Sequence, residues 1–286
     1  VVAMEADLGG ASKFTNIKKS NPENFIQCGI SEANMIGVGC GLSSEGFIPY
    51  VHTFGPFATR RVYDQIYLSG AYAHNTINIY GSDPGFTVGP NGGTHTTWED
   101  VALMREIPGS IIVDPCDETQ TRWVVKELSK HEGVHYIRAN RKDVRNVYTP
   151  DSTFELGKGN VLREGKDILI IVSGQLVSDA LDCAEKLVEE GYSVEVIDMY
   201  CIKPLDIDLV LSESKGKKAV VTFENHSIYG GLGSAVAEVL MENGVNVPFK
   251  RHGVDERFGQ VGTPDFLQKE FQLTADDLYR TIKSMI

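Results

Sequence analysis

The sequence predicts an α/β chain of two units, each a mostly parallel sheet flanked by helices. Three observations lead there. Short apolar runs alternate with helical patterns along most of the length. The patterning turns irregular once, between about Tyr148 and Gly165, where Thr149-Pro150-Asp151-Ser152 and Gly157-Lys158-Gly159 interrupt it. With 286 residues, 42% of them hydrophobic, there is chain enough for two cores. The expected division is a first domain over 1–147, a connecting segment over 148–165 and a second domain over 166–286.

In the first unit, Val1 to Asp7 reads as a strand entered midway, and a leading helix and turn are expected ahead of it. Phe25-Ile26-Gln27-Cys28 is the next short strand. Gly29 breaks it, and Ser31 stands as the N-cap of a helix beginning at Glu32. That helix is rich in small residues (Ala33, Gly37, Gly39, Cys40, Gly41). They weaken it by propensity but let another backbone approach, so a tightly packed, interfacial helix is expected. Strand-like Phe47 to Val51, a helix near Arg60 to Ala73 and strand Thr76 to Tyr80 follow. Gly81 to Thr97 then carries Gly81, Gly85, Gly89, Gly92 and Gly93 with Pro84 and Pro90, and an irregular stretch this long inside a compact unit is usually functional.

The second unit opens with strand Asp167 to Val172. A helix follows whose apolar positions Ala180, Leu181, Ala184, Leu187 and Val188 share one face, ending at Gly191. Strand Ser193 to Ile197, helix Asp206 to Ser214, strand Ala219 to Phe223, helix Gly233 to Asn243, strand Val247 to Arg251 and two terminal helices complete it.

A formal net charge of −12 repels phosphate backbones and anionic headgroups, so neither nucleic acid nor a membrane surface is expected as a partner. The longest basic cluster, Lys215-Gly216-Lys217-Lys218, reads as a solvated turn. The most continuous apolar run, Ile168 to Val172, is far short of the roughly 20 residues that cross a bilayer. Five cysteines, with no C-x-x-C pair, argue against a disulfide framework or a zinc site and for a reducing, cytoplasmic setting. The phosphate-loop, H-E-x-x-H and G-x-S-x-G patterns are all missing, and the seven histidines show no metal-ligand spacing, so no metal site is expected from this chain. Gly230-Gly231-Leu232-Gly233 lacks the dinucleotide spacing and reads as close strand–helix packing beside Glu224-Asn225-His226.

Two features remain. One is Gly29-Ile30-Ser31-Glu32, a carboxylate on the opening turn of a glycine-rich helix, with Pro49 to Phe57 about twenty residues later. The other is Gly92-Gly93-Thr94-His95, followed by Glu99-Asp100. Taken alone, Glu32 is a first-turn acid that stabilises the helix dipole. Together with Glu5 to Leu8, Asp114-Pro115-Cys116-Asp117, Ile202 to Asp206 and Gly230 to Leu240, however, these motifs run collinearly over more than two hundred residues. In that order the chain resembles the C-terminal half of transketolases, and more closely the small subunit of split transketolases. Deoxyxylulose-phosphate synthases and 2-oxoacid dehydrogenase β subunits share the pattern at lower fidelity.

The resemblance implies a pyrimidine-binding domain followed by a transketolase C-terminal domain, in an enzyme that depends on thiamine diphosphate. That cofactor reacts at its thiazolium C2, deprotonated by its own 4′-amino group once the aminopyrimidine is in the imino form. Glu32 matches the carboxyl group that drives this shift through the ring N1′, and it is expected in a cavity with few charges, where desolvation raises its pKa. Phe57 matches the ring that stacks on the pyrimidine, and Phe54 a second enclosing aromatic. Asp7 and Arg60 are further cofactor-side candidates, Arg60 falling where transketolases place an aromatic. His95 matches the histidine that bonds the substrate oxygen on which charge develops. Ser12 and Arg138 match an anion site for a sugar phosphate. Ser82 replaces a phosphate-binding histidine, Asn91 an aspartate that reads a sugar hydroxyl, and Thr96 a glutamine.

In the family, Mg²⁺ is held by a Gly-Asp-Gly motif and an asparagine about thirty residues later, all oxygen donors. No Gly-Asp-Gly occurs here. The metal ligands are therefore expected from an N-terminal transketolase subunit in an α2β2 complex, with the small-residue helix after Glu32 at the interface. The implied activity is transfer of a two-carbon ketol unit from a ketose or ketose phosphate to an aldose, as in pentose phosphate metabolism. The alternatives are decarboxylating chemistry of the 2-oxoacid dehydrogenase or deoxyxylulose-phosphate synthase kind, or a non-catalytic partner subunit.

Overall fold

The computed structural model describes residues 1–286. The strands are β1 (Val2–Glu5), β2 (Phe25–Gln27), β3 (Pro49–Phe54), β4 (Ile77–Ser82), β5 (Ile111–Val113) and β6 (Val134–Ala139), then β7 (Asn160–Arg163), β8 (Ile168–Val172), β9 (Val194–Asp198), β10 (Cys201–Lys203), β11 (Ala219–Ser227) and β12 (Phe249–Val254). They form a seven-stranded sheet in the order β10-β5-β6-β4-β3-β1-β2 and a five-stranded sheet in the order β12-β11-β8-β9-β7. Every pairing is parallel except β10 with β5 and β7 with β9. Sheets covered on both faces need near-continuous apolar strands, and Ile168-Leu169-Ile170-Ile171-Val172 is buried at every position.

Two details depart from the expected division. Asn160–Arg163 falls within the expected connecting segment but pairs with β9 as an edge strand of the second sheet. After β9 the chain crosses back, and β10 adds antiparallel to β5 of the first sheet. Tyr200, Cys201 and Ile202 thereby join the core of the first unit. Nothing in a three-residue strand announces a partner so far away in sequence.

The helix at Glu32–Ser44 is present, with Ser31 at the N-cap position but making no side-chain cap bond. The helix expected over Arg60 to Ala73 is broken into a 3₁₀ turn (Arg60–Val62), one α turn (Tyr63–Gln65) and a π segment (Ile66–Tyr72). Gly85–Asn91 forms 3₁₀ turns kinked at Gly89, whose φ of 61° suits glycine. Met35, Ile36, Val51, Ile77, Ile79 and Met104 fill one face of the first sheet, and Tyr50, Val124, Leu128 and Ile137 the other. Each such side chain contributes about 1.5–3 kcal/mol on burial. No helix is long and apolar enough to cross a membrane, and all five cysteines are free.

Because β1, β3 and β4 are parallel neighbours, their C-terminal ends lie side by side, the edge where open α/β sheets place ligands.

Candidate functional site

Four elements meet at that edge. After β2, Gly29 (φ 70°) turns the chain and the helix opens on Glu32, which is buried although it is ionisable. Phe54 ends β3. A single helical turn, Gly55–Ala58, then brings Phe57 alongside it. A Cβ at position 55 would lie 2.6 Å from Thr97 Cγ2, so this turn needs glycine. His95 is carried by a turn closed on the Gly92 carbonyl, which accepts from His95 N at 3.0 Å, Thr96 N at 3.1 Å and Thr96 Oγ1 at 3.1 Å. Thr96 is thus turned into its own loop.

The rings cluster. Phe54 and Phe57 are 6.2 Å apart, and His95 lies 5.4 Å from Phe54 and 5.1 Å from Phe57, all edge to face. Thr94 Oγ1 and His95 Nδ1 are 2.9 Å apart, which leaves Nε2 for a ligand. Desolvation, and next the Arg61 charge, hold the His95 pKa below its ordinary value, so the ring is neutral at pH 7.

The expectation that Glu32 sits among few charges is corrected. Arg61 Nη1 donates to Glu32 Oε1 at 2.8 Å, and the Arg61 guanidinium carbon lies 3.7 Å from the centre of the Phe57 ring. Sequence reasoning passes over Arg61, which follows the irregular Thr59 that ends the Phe57 helical turn. Arg141, also missed, places its guanidinium 4.7 Å from the Phe54 ring centre and pairs with Asp83.

The remaining candidates scatter. Arg60 reaches Glu99 (2.5 Å) and the Thr94 carbonyl (3.3 Å), bracing the His95 loop. Asp7 is exposed with φ 62°, and its backbone N–H donates to Gln27 Oε1 at 2.9 Å. Ser82 is fully buried at the end of β4, level with Phe54, its Oγ without a partner. Asn91 is exposed.

Ser12 and Arg138 do not form the expected anion site. Ser12 donates to the Glu5 carboxylate, which also meets His52 Nδ1 at 2.9 Å. Glu5, His52 and Tyr80 lie level across the sheet, while Arg138 is level with Gly81, one residue on. Successive side chains point to opposite faces, so Ser12 and Arg138 are on opposite sides. Arg138 is saturated there by Asp100 (2.8 Å), Asp114 (3.2 Å) and the Asn225 carbonyl.

The second unit reaches the site through the His95 loop. A Cβ at Gly93 would lie 2.3 Å from the Gly259 carbonyl oxygen, one at Gly259 2.3 Å from Thr96 Oγ1, and one at Gly92 2.7 Å from Val261. Backbone meets backbone at Gly93, and side chains of the facing segment crowd Gly92 and Gly259, which explains the run of glycines.

A buried carboxylate joined through Arg61 to a cluster of aromatic rings fits a flat, hydrogen-bonding heteroaromatic ring such as an aminopyrimidine. No group of three or more His, Cys, Asp or Glu side chains is placed to hold an ion.

Known families and structures match the chain along most of its length. The family model for the transketolase pyrimidine binding domain matches residues 1–147, and that for the transketolase C-terminal domain residues 157–278. The chain is 44% identical over 280 residues to a 6-deoxy-6-sulfo-D-fructose transketolase subunit of Clostridium sp. (strain MSTE9), covering 98% of this chain and 87% of that one. It is 36% identical over 248 residues to one of the apulose-4-phosphate transketolase subunits of Phocaeicola vulgatus, covering 86% and 80%. A solved structure described as a split gene transketolase, inactive β4 tetramer, superposes with a TM-score of 0.92 at 40% identity, over 99% of this chain and 91% of that one.

Proposed function

The chain belongs to the transketolase family, and from that premise we propose that it is the C-terminal subunit of a split transketolase, transferring a two-carbon ketol unit from a ketose to an aldose. An N-terminal subunit completes the enzyme as an α2β2 complex and supplies the ligands for Mg²⁺, a reading supported by the lack of a Gly-Asp-Gly motif in this sequence. The observation that carries the reading is the buried Glu32 on the opening turn of its helix, linked through Arg61 to Phe57 and the ring cluster.

When bound, thiamine diphosphate supplies the carbon nucleophile that carries the ketol unit. Phe57 and Phe54 give the pyrimidine its apolar seat, and Glu32 holds a proton at the ring nitrogen. His95, neutral at working pH, donates an N–H to the sugar oxygen that gains charge and hands over or takes back a proton as the carbon–carbon bond breaks or forms. Arg60 and Glu99 keep the His95 loop in place. The sugars named for the two relatives each carry a sulfonate or a phosphate, which favours a ketose with an anionic group as donor. The split-gene relative is described as inactive as a β4 tetramer, in keeping with a need for the second subunit.

Co-expression with N-terminal transketolase subunits, then a screen of ketose donors against aldose acceptors, tests the activity. Glu32→Gln should lower turnover in the assembled complex about 10²–10⁴-fold, the usual worth of a positioned acid–base group, while assembly persists. Near-wild-type turnover would reduce the chain to a scaffold. Pyruvate consumption without ketol exchange would move it to the decarboxylating enzymes.

A further inference from the structure

Arg61 holds both contacts that a pyrimidine would need. Its Nη1 bonds Glu32 and its guanidinium covers a face of Phe57 at 3.7 Å. A guanidinium is planar, carries N–H donors in its plane and stacks on aromatic faces. In shape and stacking it imitates an aminopyrimidine, and its in-plane N–H stands where a ring that carries a proton on nitrogen would donate to Glu32. Its own tether is slight. Arg61 makes no other hydrogen bond and its side chain is 45% exposed, whereas neighbouring Arg60 is tied to both Glu99 and Thr94. It also stands in a short 3₁₀ turn, reached through the irregular backbone of Thr59 (φ −125°, ψ −87°).

We propose that Arg61 is a built-in occupant of the cofactor site: its guanidinium takes the place where the pyrimidine of thiamine diphosphate stacks and bonds, and it swings into solvent when the ring enters. The proposal rests on the reading of Glu32 and Phe57 as the pyrimidine seat. Without an occupant, water would have to take over the hydrogen bond to Glu32 and would wet the Phe57 face; the half-exposed arginine covers both in the free chain. Cofactor binding is then an exchange, and its apparent affinity is lowered by the fraction of molecules in which the site is open.

Calorimetry of the full chain, alone and in complex with an N-terminal subunit, tests this with two probes: 4-amino-5-hydroxymethyl-2-methylpyrimidine, and thiamine diphosphate with Mg²⁺. Arg61→Ala and Arg61→Gln should both bind more tightly than wild type, roughly tenfold for a site closed about nine-tenths of the time. Their thermal unfolding midpoints, read alongside, should stay within a few degrees of wild type, as for most surface changes. In the wild-type chain the Arg61 Nε–H resonance should move when the pyrimidine probe is added. Measurable binding that is unchanged or weaker in both variants would overturn the proposal while leaving the pyrimidine seat in place. Failure of wild type and both variants to bind either probe, in chain and complex alike, would remove the seat itself and the proposal with it.

Discussion

Arg61 and Arg138 each face buried carboxylates, and they differ in how much water reaches the arginine. Arg138 has a side chain 2% exposed and is enclosed by Asp100, Asp114 and the Asn225 carbonyl, with Tyr136 and Ser173 bonding the same two acids. Burial pushes the Asp100 carboxyl upward, but the adjoining guanidinium outweighs it and holds the acid below its usual range. Arg61 makes one hydrogen bond and lies mostly at the surface over a ring. A dry cluster held by several bonds is a brace between the two units of the chain; a half-wet pair with one bond is replaceable by a ligand. Matching residue types to a family picks out Arg138 and passes over Arg61, because it carries identity and not surroundings.

The contrast is broken most directly by removing each arginine in turn. Arg138→Leu leaves Asp100 and Asp114 buried and unpaired and should cost about 3–5 kcal/mol in urea unfolding. Arg61→Leu should change stability by less than about 1 kcal/mol. Equal losses would show that the two clusters do the same work.

A smaller effect sharpens the dry side. Glu224, buried next to this network, accepts from Leu232 N at 2.8 Å and Gly233 N at 3.0 Å, yet burial pushes its carboxyl up to about 7. From about pH 4.5 to 7 the folded chain keeps a proton that the unfolded chain has lost, so this group's stabilisation is complete at low pH and drains away as pH rises through the folded value. Glu224→Gln should flatten that decline when unfolding is compared at about pH 5 and about pH 7. An unchanged slope would assign it elsewhere.

The smallest effect belongs to the wet side. Arg61→Ala should raise the His95 pKa toward its ordinary value, leaving only desolvation to depress it, as an NMR titration would read. A fixed midpoint would mean that Arg61 does not act on the imidazole.

The parts of the site legible in the sequence are those set by local geometry. A serine followed by a first-turn acid, a phenylalanine at a strand end with another three residues later, and Gly-Gly-Thr-His each place a side chain from neighbouring residues alone, and the structure brings Phe54, Phe57 and His95 together, with Glu32 joined to them through Arg61. The failures concern register and long range. Ser12 and Arg138 are parted by a one-residue offset in strand alternation, which flips a side chain to the other face. Arg61 is hidden because the helix expected from Arg60 instead opens as a 3₁₀ turn after the irregular backbone of Thr59, which redirects it. The glycines around His95 are legible as functional but not as packing, since their neighbours Gly259 and Val261 arrive from the other end of the chain.

β10 has a further consequence for how such a chain can be divided. The polypeptide leaves the five-stranded sheet at Asp198, stitches Cys201–Lys203 onto the rim of the seven-stranded one, anchors Lys203 Nζ on the Arg105 and Ile107 carbonyls, and only then returns. A gene cut between the two halves would sever those stitches and strip β5 of its outer neighbour, leaving an adhesive rim of unpaired amides. The two halves are laced together, and fission or shuffling within this chain would have to carry the lace along with the first half.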